Sequence, residues 1–185
     1  MWSTAADRPF EESPLAGATR TDLERKFDRL LTENGPALAR LSASYTNTAT
    51  DRDDLLQEIA LAIWRGLPGF RGECSERTFL FRVAHNRAVS YLIQQRRRPA
   101  SDGELDQVAD GAPSPEAGVV RNQQGERLRE AVRRLALPYR QVVTLTLEGM
   151  DYGEIAEILG TSESNVGARL TRARQMLREL MEVKR

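Results

Sequence analysis

The side chains in this sequence best suited to chemistry are arginines set among small and polar residues. Along Ser162–Leu180, Val166, Leu170, Ala173 and Leu177 recur at helical spacing and are expected to face a core. The opposite side then carries Ser164, Ala168, Thr171, Arg172 and Gln175, with Arg169 and Arg174 on its shoulders. Small side chains between arginines permit close approach to the major groove of a duplex, where guanidinium groups read base edges and neutralise phosphates. The plainer alternative is an amphipathic helix with a solvated basic face. A second polar stripe, Arg82, Asn86, Ser90 and Arg97, recurs within Phe79–Arg98. Asn and Arg can hydrogen-bond exposed bases and phosphates, and Phe70, Phe79, Phe81 and Tyr91 offer stacking surfaces, although most of these aromatics are expected in the core. The remaining reactive pair is Cys74 and His85, the one cysteine and the one histidine. A nucleophile–base reading of that pair lacks any orienting partner. One Cys and one His also allow no intrachain disulfide and no Cys/His zinc set, so neither metal nor cofactor is expected.

Helices must position these residues. Asp151 with Glu154 has capping-box spacing, Ile155, Ala156 and Leu159 supply an apolar side, and Gly160 ends a short helix. Thr161 or Ser162 can cap the basic helix that follows, which makes a helix-turn-helix. Upstream, Thr21 and Glu24 form another capping box, and Leu23, Phe27, Leu30 and Leu31 share a face. Asn34-Gly35 is expected to end that helix, with Pro36 opening a second. A third helix starts near Asp51, with Leu55, Leu56, Ile59, Ala60 and Ile63 inward. Its other side carries Asp54, Gln57, Glu58, Leu61 and Arg65, with Trp64 at the edge. Apolar residues beside carboxylates fit a docking surface, while periodicity alone equally allows Trp64 to complete the core. The glycine-punctuated loop Leu67–Thr78 leads to a long helix capped by Ser75 and reaching Arg98. Val119–Leu137 and a helix opened by Pro138 precede the helix-turn-helix.

The formal net charge is zero, yet the charges are segregated. Arg65–Arg98 holds eight arginines and two acids, Pro99–Gly118 five acids and no base, and Ser162 to the end six bases and three acids. Local fields, not the total, govern phosphate attraction. Residues 99–118 have the proline, glycine, serine and acid composition of a linker. Residues 1–19 read as a mobile tail without the basic and apolar regions of a signal peptide. No apolar run approaches a membrane span, so no membrane insertion is expected, and the single cysteine fits a reducing cytoplasm. The expected fold is all-α: two small helical domains, residues 20–98 and 119–185, joined by a flexible acidic linker, the C-terminal one a helix-turn-helix. The free chain could also be closed, with the two domains packed together.

DDLLQEIALAIWRGLPGFRG (Asp53–Gly72) resembles the polymerase-binding helix of bacterial sigma factors. FLFRVAHNRAVSYLIQQRRR (Phe79–Arg98) is similar to their promoter-melting, −10-reading helix, and Leu137–Leu180 to their −35-reading domain. The order, spacing and short length resemble the extracytoplasmic-function group, over about residues 20–98 and 119–180. The resemblance implies that Asp54, Gln57, Glu58 and Leu61 bind the clamp helices of core RNA polymerase. It implies that Phe70, Arg71, Gly72 and Glu73 help hold a flipped base, with Asn86 near that pocket and Arg82, Arg87 and Ser90 along the same helix. It places Ala168, Thr171 and Arg172 toward bases of promoter DNA, and Arg169 and Arg174 toward phosphate or in structural roles. An anti-sigma factor, often membrane-tethered in relatives, is the further partner implied; no small-molecule substrate is. Gly167 departs from the Lys or Arg common there, Cys74 from a small residue, and His85 from an apolar or basic one. A polymerase-independent helix-turn-helix regulator is the alternative reading.

Overall fold

The computed structural model describes residues 19–97 and 116–182, and the side chains among them except at 96–97 and 116–123. The expected tail and most of the expected linker therefore lie outside the described residues. Among the described residues the regular structure is helical, without strands: α1 (Arg20–Ala43), α2 (Ala49–Gly66), α3 (Glu76–Arg97), α4 (Glu116–Arg134), α5 (Leu137–Leu147), α6 (Tyr152–Leu159) and α7 (Glu163–Glu182), with a 3-10 turn at Leu67–Gly69.

Local chemistry sets most helix ends. Thr19, not Thr21, caps α1: its hydroxyl accepts from the Asp22 amide, and the Asp22 carboxylate accepts from the Thr19 amide at 3.1 Å. Glu24, the acid expected in that box, instead pairs with Arg20 at 3.0 Å. The hydroxyl of Thr48 accepts from the Asp51 amide at 3.0 Å, so α2 starts two residues before Asp51. Ser75 caps α3 as expected, its Oγ accepting from the Thr78 amide at 2.9 Å. α4 begins at Glu116, inside the stretch read as linker, and Leu137 belongs to α5.

The predicted break at Asn34-Gly35 does not occur, and α1 runs through Pro36. Proline's fixed φ is compatible with a helix; the cost is one missing donor and a steric push on the preceding turn. The side-chain amide of Asn34 donates to the Leu30 carbonyl at 3.0 Å, an extra bond just before the proline. Leu30 lies before Pro36, Leu38 and Leu41 after it, and all three are buried in one core. Burial of each such leucine stabilises by about 1.5–3 kcal/mol, which offsets the local penalty.

α1, α2 and α3 pack on one another around Leu41, Leu55, Ile59, Ile63, Leu80 and Phe81, all essentially inaccessible. α7 packs on α4, α5 and α6 around Val142, Leu145, Ile155, Val166 and Leu170. These are the two helical domains expected. They are not held apart: α3 lies against α6, and the buried apolar residues form one cluster across both domains. The Arg40 guanidinium donates twice to the Glu148 carboxylate, at 3.0 and 2.6 Å. The Arg140 guanidinium sits over the Tyr45 ring, 5.9 Å from its centroid.

Candidate nucleic-acid interface

α2 presents its outward face as the spacing predicts. Asp54, Gln57 and Leu61 are exposed, while Leu55, Ile59 and Ile63 point inward. Leu61 keeps 53% of its surface in water beside those polar neighbours. Glu58 is half-buried and accepts from the Arg87 guanidinium at 2.9 Å, so a residue expected to meet polymerase pairs with one expected to meet DNA. Trp64 packs edge-on against Phe27, ring centroids 5.3 Å apart, which assigns much of its surface to the α1–α2 contact.

The loop between the 3-10 turn and α3 is held from below. Phe70 packs against Phe79 with centroids 4.7 Å apart, and the Lys26 ammonium lies 5.1 Å from the Phe70 centroid. Lys26 and Arg29 on α1 also bind the Glu76 carboxylate at 2.9 and 2.7 Å, and these hydrogen bonds hold its pKa below the usual carboxylate range. Arg71, Gly72 and Glu73 are exposed at the tip. Gly72 has a φ of 78°, a left-handed conformation that side chains with a Cβ rarely adopt, so the turn requires glycine. Phe70 is thus fixed at its edge while the following three residues are exposed to solvent. Lys26 is a contributor that the spacing alone could not reveal, since it comes from a different helix.

On α3 the polar stripe divides. Asn86 and Ser90 are exposed, the Ser90 hydroxyl donating to the Asn86 carbonyl at 2.9 Å. Arg87 turns to Glu58, and Arg82 turns to Glu157 on α6, at 2.5 Å. Phe81 is fully buried and Phe79 half-buried, so neither is an open stacking platform for a base. The side chain of Arg97 lies outside the described residues. His85 is 5% exposed, its ring edge-on to Tyr45 with centroids 6.4 Å apart. Neither ring nitrogen makes a well-formed hydrogen bond among the described residues; burial pushes the pKa down to about 4, against a smaller opposite pull from the neighbouring Asn86 side chain. Burial also pushes the Cys74 thiol up. The imidazole does not hold the thiol, and a protonated thiol is a poor nucleophile.

The helix-turn-helix is built as its residues dictate. The Asp151 carboxylate accepts from the Glu154 amide at 2.8 Å, and Glu154 accepts from the Asp151 amide at 3.0 Å. Gly160 takes φ 63° and closes α6. Of the two residues proposed to cap α7, Ser162 does so, accepting from the Asn165 amide at 3.3 Å. Val166, Leu170 and Ala173 are buried, and Ala168, Thr171, Arg172 and Arg174 are exposed, with Arg169 partly so. The Thr171 hydroxyl donates to the Gly167 carbonyl at 3.0 Å. An open groove of about 580 Å³ runs between α7 and the start of α5, lined by Pro138, Tyr139, Ser162, Asn165, Ala168 and Arg172. At Gly167 a Cβ would meet the Tyr152 ring at 3.5 Å, an ordinary contact, so glycine is not required there for space.

Two helical domains, one with a fixed loop before a polar helix and one with a basic recognition helix, define a class of two-module transcription proteins. Residues 30–98 match the family described as sigma-70 region 2, and residues 125–177 match sigma-70 region 4. The chain is 32% identical to the ECF RNA polymerase sigma-E factor of Escherichia coli K12, over 83% of this chain and 85% of that one. It is 30% identical to the RNA polymerase sigma factor CnrH of Cupriavidus metallidurans, over 91% and 93%. Among solved structures, CnrH in complex with the cytosolic domain of CnrY superimposes with a TM-score of 0.67 at 27% identity, covering 92% of this chain and 94% of that one. The sigma factor RpoE of Bartonella quintana, in complex with the anti-sigma factor NepR, shares the fold with a TM-score of 0.64 at 21% identity, covering 87% and 99%. The chain belongs to the ECF group of RNA polymerase sigma factors.

Proposed function

We infer that this chain is an alternative sigma factor that binds core RNA polymerase and directs promoter recognition, DNA opening and transcription initiation. The observation that carries this reading is the pairing of region 2 and region 4 in one short chain, each with its polar face outward. In this reading the chain divides into a tail (1–18), a polymerase-binding and −10-reading domain that opens with the Thr19 cap (19–98), a linker that ends where α4 begins (99–115) and a −35-reading domain (116–185). Asp54, Gln57, Glu58 and Leu61 form the polymerase contact. The exposure of Leu61 favours a partner there over a polymerase-independent regulator, because a leucine left in water beside carboxylates gains from being covered.

Phe70, Arg71, Gly72 and Glu73 receive an unstacked base of the −10 element, with Asn86, Arg82, Arg87 and Ser90 along the strand. Extruding a base costs a few kcal/mol, which stacking and hydrogen bonds must offset. Ala168, Thr171 and Arg172 read the −35 element, and Arg169 and Arg174 position the helix on phosphates. Each good base contact contributes about 1–3 kcal/mol of discrimination. Tethering two weak readers raises their joint affinity through effective concentration. The polymerase performs the covalent chemistry; the sigma factor chooses where. A partner of the anti-sigma class fits the likeness to CnrH, whose structure was solved with CnrY. No helix among the described residues is long and apolar enough to cross a membrane, and the chain's place of action is the cytoplasm, with polymerase. The test is reconstituted transcription: purified chain plus core polymerase on genomic DNA fragments, with start sites mapped. Specific new start sites are expected; no initiation and no complex with core polymerase would refute the reading.

A further inference from the structure

We propose that Lys26 on α1 is a positioning residue for base capture: it ties together the two ends of the loop 71–75 and so holds that loop in shape for the unstacked base. This rests on the reading of Phe70, Arg71, Gly72 and Glu73 as the receiving loop of the −10 element, and deepens it. Phe70 precedes the loop and Glu76 follows it. The Lys26 ammonium reaches both. It lies 2.9 Å from Oε1 of Glu76 and 5.1 Å from the centroid of the Phe70 ring. Arg29 takes the other carboxylate oxygen at 2.7 Å, but it is 49% exposed against 22% for Lys26, and it also pairs with Glu33. Lys26 is therefore the inner anchor.

Each end of the loop has a further hold. The Phe70 ring packs against Phe79, and the Phe70 amide donates to the Leu67 carbonyl at 3.2 Å. Phe79 in turn sits close over Gly66, where a Cβ would meet the ring at 3.3 Å, tighter than an ordinary contact. At the other end Ser75 caps α3. Glu76 occupies the first position of α3, where the helix dipole already favours a carboxylate, so its cations are not needed to start that helix. What they add is the tie to α1. Partly exposed ion pairs contribute little to folding stability, so the consequence of this one is geometric. Arg71, Gly72 and Glu73 are exposed between two fixed ends. A loop fixed in this way loses less conformational freedom when a base enters, which raises affinity without a new contact. Lys26 thus acts through Phe70 and Glu76, not by touching the base.

The test uses holoenzyme assembled from core polymerase and the full chain, as wild type, Lys26→Met or Lys26→Arg. Methionine keeps an apolar stem of similar length and removes the charge. The probe is a fluorescein-labelled non-template single strand carrying the −10 element of a promoter found by start-site mapping. A companion set makes each base of the element abasic in turn, and anisotropy reports the affinities. The position whose removal weakens wild-type binding most marks the captured base. Lys26→Met should bind the intact strand about three- to 30-fold more weakly, the range set by one cation on an aromatic ring, and match wild type on the strand abasic at that position. Lys26→Arg keeps a cation able to face both groups and should recover most of the loss. A smaller folded fraction would lower affinity for both strands alike, so the comparison reads positioning and not stability. An equal loss on intact and abasic strands would overturn the proposal, as would no loss, or a Lys26→Arg variant as weak as Lys26→Met. If no abasic position weakens wild-type binding, it is the assignment of the loop that fails, and the proposal falls with it. If one position does and Lys26→Met is unaffected there, the loop assignment stands and the role of Lys26 is refuted.

Discussion

Replacing His85 by leucine should remove most of an acid-induced loss of stability. The ring, on the buried side of α3 and edge-on to Tyr45, makes no well-formed hydrogen bond among the described residues, and desolvation pushes its pKa from the ordinary 6.5 down to about 4. The Asn86 side chain pulls slightly the other way and does not reverse the direction. Below pH 6.5 the unfolded chain binds a proton that the folded chain refuses, so stability falls as the pH drops and stops falling near pH 4. Each pH unit in that window is worth about 1.36 kcal/mol, which makes the full contribution about 3 kcal/mol. That is a large share of the roughly 5–15 kcal/mol that holds a folded protein of this kind. Urea titrations at pH 7, 5.5 and 4.5, for wild type and His85→Leu, measure the difference. Carboxylates such as Glu76, whose pKa is held down by Lys26 and Arg29, also lose stabilisation in acid, but they do so equally in both proteins. Leucine has similar volume and no nitrogen to desolvate, so the variant should show a markedly shallower pH dependence. Parallel pH curves for the two proteins would refute the reasoning, because they would mean that the buried imidazole finds a proton partner after all.

Pro36→Ala should stabilise the chain by up to about 3 kcal/mol, read as a higher urea midpoint, because α1 runs through that position and alanine restores the missing donor. Destabilisation would show that proline's restriction of the unfolded chain outweighs the lost bond. Arg172→Ala should weaken binding to the mapped −35 element by about 1–3 kcal/mol and leave random duplex nearly unaffected, measured by anisotropy; an equal loss on both would make it a phosphate contact only. Asn86→Ala should impair promoter opening more than closed-complex formation, so that permanganate reactivity of the bubble falls while footprinting at the −35 element persists. Normal reactivity would remove Asn86 from the strand pocket.

Much of the candidate site could be read from local pattern. The capping box of Asp151 and Glu154, the αL glycine at 160 and the burial of Val166, Leu170 and Ala173 all depend on residues within a few positions of one another. The outward face of Asp54, Gln57 and Leu61 follows from the same periodicity that buries Leu55, Ile59 and Ile63. Such signals are written along the chain because helices are local structures. Where two local signals competed, only packing chose between them. Asn34-Gly35-Pro36 carries a stop signal, yet Leu30, Leu38 and Leu41 share one core and keep the helix whole. Thr19 and Thr21 both precede an acid at the spacing of a capping box, and the start of α1 selected the first.

What the sequence by itself determined is the all-helical content, the faces of α2 and α7, and the family resemblance those faces carry. What only the tertiary structure decided is which of those faces are free. Arg82 and Asn86 belong to one stripe by spacing, yet Arg82 is paired across the domain boundary and Asn86 is open to solvent. Arg40 meets Glu148 across 108 residues, and Arg77 meets the Glu148 carbonyl across 71. No periodicity encodes such pairs, because they depend on how two separately folded surfaces complement one another in charge and shape, and that is a property of the packed domains rather than of any stretch of chain.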